Sequence, residues 1–167
     1  MNRLHLLSAV VAAGLLTACG GGGDGGGFAF IGAGTGTTGP GTGALQEPAV
    51  IVTTLTTAQI DGGSAQSGLQ ALSGKAKCDV NVISLNYSTA GPKGEVTNAS
   101  GVLLMPAGTC ANAAPLVAYA KGTDVQKPRT LVNPNDPETF LLTAMYAAQG
   151  YAVVATDYLG LGTPGPH

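Results

Sequence analysis

Two short apolar runs, Leu116–Ala120 and Ala152–Thr156, flank a capped helix signal, and this pattern restricts the chain more than any other feature. Each run is bounded by Gly or Pro and reads as a strand buried on both faces. Between them, Asp136-Pro137-Glu138 is a helix start. The Asp caps, the Pro has its φ preset for the first helical position, and the Glu sits at the positive end of the dipole. The predicted helix runs Thr139 to Gln149, with Leu141, Ala144, Met145 and Ala148 spaced for one face, and stops at Gly150. Strand, helix and strand over this length make a βαβ unit with a right-handed crossover. The sheet is therefore at least partly parallel, and its strands want helices on both sides.

The N-terminus reads as a targeting signal. Arg3 supplies the positive region, and Leu4 to Leu15 form an apolar stretch too short for a comfortable membrane span. It ends in Leu16-Thr17-Ala18-Cys19, the small-residue box after which bacterial lipoproteins are cut, so residues 1–18 form the signal and Cys19 takes the lipid. An ordinary secretory signal with a chance cysteine is the alternative. Gly20 after the cysteine resembles the outer-membrane sorting pattern, so the expected location is an exported, outer-membrane-anchored lipoprotein. Residues 19–44 are rich in Gly and Thr and form a flexible tether with little to bury. Within it, Gly34-Thr-Gly-Thr-Thr-Gly39 matches a dinucleotide fingerprint only by chance, because Pro40 follows where a helix must open.

Charged residues make up 10% of the chain and the net charge is −2, so no basic patch suggests nucleic acid. The region from 45 to 167 has the length for one core but is small for an α/β enzyme. Leu45 to Lys77 is the least legible part. Val50 to Thr57 suggests an edge strand, and Asp61-Gly-Gly-Ser with the stretch after it a loop or a weak short helix.

Asp79–Tyr87 and Val96–Met105 read as two antiparallel strands, the first with the half-buried pattern of a sheet edge. Gly91-Pro-Lys-Gly94 joins them as a hairpin turn. Such a hairpin brings Cys78 and Cys110 together at its open end, which predicts a disulfide in an oxidising compartment. The alternative is two unpaired buried thiols. Asn86-Tyr-Ser and Asn98-Ala-Ser match glycosylation acceptors, an accident in a chain with a bacterial lipid box.

Tyr119-Ala-Lys-Gly-Thr123 and Gly150-Tyr-Ala-Val-Val-Ala-Thr-Asp-Tyr-Leu-Gly-Leu-Gly-Thr-Pro-Gly-Pro-His167 resemble the N-terminal half of bacterial secretory lipases and esterases of the α/β-hydrolase fold. The resemblance covers roughly Val80 to His167. It implies an α/β fold holding part of the hydrolase sheet, an N-terminal antiparallel hairpin followed by the parallel βαβ unit. It also implies a parent that hydrolyses carboxylic esters. In that family a His-Gly-Thr-like motif follows the third strand, and a backbone N–H there faces the developing oxyanion. Lys121, Gly122 and Thr123 occupy the matching positions, so Gly122 and Thr123 are the oxyanion candidates, with Lys121 in place of the commoner histidine.

The rest of a serine hydrolase's apparatus is not legible. No Gly-x-Ser-x-Gly occurs, and Gly62-Gly-Ser-Ala-Gln66 lacks the last glycine. His5 leaves with the signal and His167 is terminal, so no Ser-His-Asp triad can be assembled. The resemblance puts Asp157 in the family's turn after the fourth strand, which implies a structural loop residue and not a catalytic acid. Two separated cysteines and a terminal histidine give no metal cluster, and no cofactor is expected. The expectation is the front part of a lipid-anchored esterase, ending before its nucleophile and inactive by itself. Its partners are the membrane through Cys19 and, for the parent, an ester or lipid substrate. The rival readings are a complete, non-catalytic surface lipoprotein that binds a partner through an open sheet edge, and a small adhesin-like β-domain.

Overall fold

The computed structural model describes residues 43–162. Five strands form one mixed sheet in the order β1-β2-β3-β5-β4. They are β1 (Val50–Leu55), β2 (Asp79–Ala90), β3 (Val96–Ala107), β4 (Leu116–Tyr119) and β5 (Ala152–Thr156). The helices are α1 (Thr57–Ser67), the single turn α2 (Gln70–Ser73) and α3 (Pro137–Met145). β4 and β5 pair in parallel, Val117 opposite Val153 and Tyr119 opposite Ala155, as the βαβ reading requires. β3 pairs with β5 antiparallel, which joins the hairpin to the parallel unit.

The hairpin of β2 and β3 keeps an unbroken register from Asp79 opposite Ala107 to Ala90 opposite Val96. At its open end Cys78 and Cys110 are disulfide-bonded, with Cα atoms 5.6 Å apart. The edge pattern read from β2 reflects a different position. β2 is an inner strand with β1 along its other side, and β1 is the edge, with Val50, Ile51 and Val52 each at least half exposed.

Cross-strand partners on one face build the core. Val82, Leu104, Val153 and Val117 form a row across four strands. Val80, Val102 and Ala155 lie on the same side, packed with Ile60, Leu131, Leu142, Ala144, Ala147 and Ala148. Ile83, Leu85, Leu103 and Val154 have the opposite parity and are only half-buried. Among the described residues the helices therefore cover one face, not the two expected. β4 departs from the reading of a strand buried on both faces. It is the other edge of the described sheet, Leu116 is 66% exposed, and no residue of the strand is fully buried.

Asp136 caps α3 by accepting from the amides of Glu138 and Thr139, with Pro137 in the first turn. The helix is shorter than predicted. It breaks at Tyr146 into a 3-10 turn over Ala147–Gln149 and ends at Gly150 with φ 101°. The buried face is Thr139, Leu142, Thr143 and Ala144, whereas Leu141 is 41% exposed. Thr139 and Thr143 pass inside because their hydroxyls find backbone acceptors, Leu131 O at 2.9 Å and Thr139 O at 2.9 Å.

The segment read as loop or weak helix at Asp61-Gly-Gly-Ser lies within an eleven-residue helix. Thr56 and Gln59 form a reciprocal capping box that supplies the start signal. Gly63 is used for close approach, since a Cβ there would lie 2.7 Å from Phe140 Cζ on α3.

Candidate functional site

Because β4 and β5 run parallel, their C-terminal ends open on the same side of the sheet, where open α/β sheets place ligand crevices. Lys121, Gly122 and Thr123 leave β4 there, and Asp157 and Tyr158 leave β5. The two exits touch: the Tyr158 hydroxyl donates to the Lys121 carbonyl at 2.7 Å. Gly122 and Thr123 are both exposed, and a Cβ on Gly122 would meet nothing within 4 Å.

The Gly122 N–H is not open to a ligand in this arrangement. It donates to Glu138 Oε1 at 3.2 Å, and the Tyr119 hydroxyl donates to the same oxygen at 2.8 Å. The Thr123 N–H has no acceptor among the described residues.

Beneath this loop lies a charge cluster built on Arg129. Its Nε and Nη2 reach the two carboxylate oxygens of Asp136 at 2.7 and 3.0 Å. Nη2 also donates to Glu138 Oε2 at 2.8 Å, and Nη1 to Asp124 Oδ2 at 3.1 Å. This fork geometry is specific to guanidinium. Lys121 does not face the candidate oxyanion position as a free cation. Its side chain is fully buried, with Nζ 3.0 Å from Asp124 Oδ2. That contact is an ion pair off hydrogen-bond alignment, and Nζ has no hydrogen-bond partner among the described residues.

Each carboxyl of the cluster is shifted by its neighbours. The Arg129 hydrogen bonds hold Asp136 below the usual range, outweighing burial, with the capped amides of Thr139 and Glu138 helping. Burial pushes Glu138 up, but Tyr119, the Gly122 amide and Arg129 together bring it below its ordinary value. The Gln126 amide, then Lys121, lower Asp124 strongly. Tyr119 is raised, first by its bond to Glu138 and then by burial. Arg129 is held more firmly protonated by Asp136.

Asp157 has the structural role read from its position. Fully buried, it accepts from Ser100 Oγ at 2.7 Å, Thr130 Oγ1 at 2.8 Å and the Leu131 amide at 2.8 Å. These bonds tie the exit of β5 to β3 and to the chain before α3. Cys19, His5 and His167 lie outside the described residues. No group of three metal-ligating side chains occurs among the described residues, and none of their helices is long and apolar enough to cross a membrane.

A groove of about 580 Å³ runs between the α1–α2 corner and the start of α3, lined by Leu69, Leu72, Pro137, Phe140 and Leu141 among others. A hollow of about 550 Å³ lies between the hairpin turn and Leu159–Leu161. Neither includes Gly122 or Thr123.

Glu138, Arg129 and Tyr158 were not legible as a cluster. Asp136 and Glu138 read as a helix start and nothing more, although six charged residues within 121–138 of a chain only 10% charged mark the region.

No family model matches this chain, and no curated protein matches it. Solved structures do. The rice cell wall degrading esterase LipA from Xanthomonas oryzae superposes with a TM-score of 0.62 at 32% identity, over 74% of this chain and 31% of that one. Its ligand-bound form gives 0.63 at 32% identity, over 77% and 32%. A Legionella pneumophila protein assigned as a hydrolase gives 0.60 at 24% identity, over 70% and 31%, which shows the fold alone. The chain thus spans about a third of the length of these structures. Over that span, its mixed five-stranded sheet with helices has the fold of these esterase and hydrolase structures.

Proposed function

We propose that this chain is the front portion of a serine esterase or lipase acting on carboxylic esters, and that by itself it does not hydrolyse them. One observation carries the reading. β5 lies between β3 and β4 and is parallel to β4, so the loop Lys121–Thr123 emerges at the crevice end of the sheet. The likeness to an esterase at 32% identity over three quarters of the chain supports the same reading.

In this reading the loop after β4 supplies a backbone N–H to the oxygen that becomes negative when a serine attacks the ester carbonyl. A preorganised donor in such a place contributes about 10²–10³ in rate. In this reading the serine, its histidine and the acid that orients it belong to parts of the enzyme outside this span. The lipid belongs to the same proposal. Cys19 carries more than one acyl chain, enough for stable anchoring, and holds the enzyme at the outer membrane.

The test is the protein encoded when the reading frame is followed past His167. It is expected to contain Gly-x-Ser-x-Gly and to hydrolyse p-nitrophenyl esters in a manner blocked by a serine-reactive phosphonate. A continued chain with neither feature would overturn the reading. Metabolic labelling with palmitate tests the anchor separately, and incorporation that persists in Cys19→Ala would sink it.

A further inference from the structure

At the crevice end of the sheet, three segments close around the hollow of about 550 Å³. β3 runs antiparallel to β5, with Gly101 opposite Thr156, so the hairpin turn before β3 lies beyond the exit of β5. Pro92, Lys93 and Glu95 line the hollow from that turn, Lys127 from the chain after β4, and Leu159 and Leu161 from the chain after β5.

The walls are held by backbone bonds. The Gly91 amide donates to the Glu95 carbonyl at 2.8 Å and the Gly94 amide to the Gly91 carbonyl at 2.9 Å, which closes the turn. The Gly162 amide donates to the Lys127 carbonyl at 2.9 Å and ties the other two segments together.

The charge of the lining is one-sided. Two ammonium groups and one carboxylate leave the hollow positive by one charge, in a chain whose net charge is −2. Lys121 and Arg129 are ion-paired, whereas neither Lys93 nor Lys127 has a carboxylate partner among the described residues. Glu95 does not neutralise them: its Oε2 accepts the Lys93 backbone amide at 2.8 Å. Beside these two cations, Pro92, Leu159 and Leu161 supply apolar surface, and Leu159 is 38% exposed. Apolar lining with a few charged groups, in a cavity of this size, is the composition of a small-ligand site.

We propose that this hollow binds an amphiphilic anion, a carboxylate or phosphate on a short alkyl chain, and that the ester cleaved by the longer enzyme carries such a group away from the bond that is cut. That the hollow takes an amphiphilic anion rests on its lining alone. That the anion belongs to an ester substrate rests on the ester-hydrolase reading.

Titration of this full chain with octanoate, followed by NMR of the backbone amides, is expected to give saturable shifts at Lys93, Lys127 and Leu159 to Leu161. Acetate has the charge without the chain and octanamide the chain without the charge, so each should bind about fivefold more weakly or worse. Lys93→Gln and Lys127→Gln should each weaken octanoate binding about two- to fivefold, the scale of an exposed ion pair. Salt at about 0.5 M should weaken it in the unmodified chain. Octyl phosphate separates the two headgroups: whichever of it and octanoate binds tighter names the anion. Equal binding of octanoate and octanamide, or octanoate binding that neither substitution changes, would overturn the site.

In the longer enzyme, mono-p-nitrophenyl esters of dicarboxylic acids are to be compared with p-nitrophenyl alkanoates of equal length over a series of lengths. At the best length kcat/KM should favour the anionic ester about threefold or more, and Lys93→Gln with Lys127→Gln should bring the ratio to about one. Neutral esters preferred at every length, with octanoate still bound, would overturn the assignment to the substrate. Absence of any serine-dependent hydrolysis, with octanoate still bound, would overturn the hydrolase reading and the substrate assignment with it, and the anion site would stand.

Discussion

Removing the Arg129 guanidinium strands three carboxylates at once. The Asp124, Asp136 and Glu138 side chains are only 7%, 8% and 17% exposed, so water replaces the lost donors incompletely. Breaking one partner of a buried ion pair costs about 3–5 kcal/mol, and Arg129 is itself 28% exposed, which lowers the figure. Arg129→Ala is therefore expected to lower the unfolding free energy by about 2 kcal/mol, read from urea denaturation. The same contacts set the acid limit. Asp136 and Glu138 titrate below their ordinary values in the folded chain, Asp136 chiefly because of Arg129 and Glu138 because its donors outweigh burial. Unfolding returns them to about pH 4, so the unfolded chain binds protons that the folded one resists. Their contribution is complete above about pH 5 and is lost as pH falls through the folded values. The midpoint of urea unfolding should fall between about pH 5 and pH 3, and less so in Arg129→Ala; a flat profile would contradict the cluster. At this scale the sequence was legible where a residue acts on its own neighbours, as Asp136 does in capping α3. It was silent where Glu138 and Tyr158 act across sixteen and thirty-seven residues.

Whether strands and helices tolerate added atoms depends on what faces them. Gly101 stands where β3 meets β5, and a Cβ there would lie 2.5 Å from the Ala155 carbonyl oxygen and 3.3 Å from Thr156 Cα. Both are backbone atoms, so the ladder between Gly101 and Thr156 must part. Gly101→Ala is expected to destabilise by about 3 kcal/mol. Gly62, inside α1 with nothing within 4 Å of its Cβ position, behaves oppositely. Gly62→Ala should stabilise by about 0.5–1 kcal/mol, because the helix no longer orders a glycine. Thermal melts of the two variants should move in opposite directions. The disulfide closes a separation of 32 residues, and reduction should cost about 3–4 kcal/mol in the chain-entropy account. Thiol titration of the native chain should detect neither Cys78 nor Cys110. The hairpin, its turn and this bridge were readable because each signal is local or anchored by the register. α1 read only as a loop or a weak short helix because Gly62 and Gly63 sit at its centre, while Thr56 and Gln59, which start it, and Phe140, which packs over Gly63, support the helix.

Across the whole molecule, the sheet order explains which faces are closed. Helices cover the row from Val82 to Val117, and among the described residues β4 presents Leu116 and a backbone with no strand along its outer side. An apolar edge without charge is prone to pairing with another strand. The parallel unit was legible in the sequence because two apolar runs and a capped helix leave few topologies. That β4 lies at an edge of the described sheet followed from the resemblance and not from its composition, because Leu-Val-Ala-Tyr is the composition of a strand with neighbours on both sides. The covered span is about a third of the esterase structures it superposes on, and it includes the crevice end of β4 and β5 but no Gly-x-Ser-x-Gly. The central claim is that this span carries the oxyanion side of an acyl-transfer site and not its nucleophile. Hydrolysis of a p-nitrophenyl ester by the purified chain tests it most directly. The account predicts a rate equal to that of buffer, with or without a serine-reactive phosphonate. Turnover by the chain that the phosphonate abolishes would contradict it.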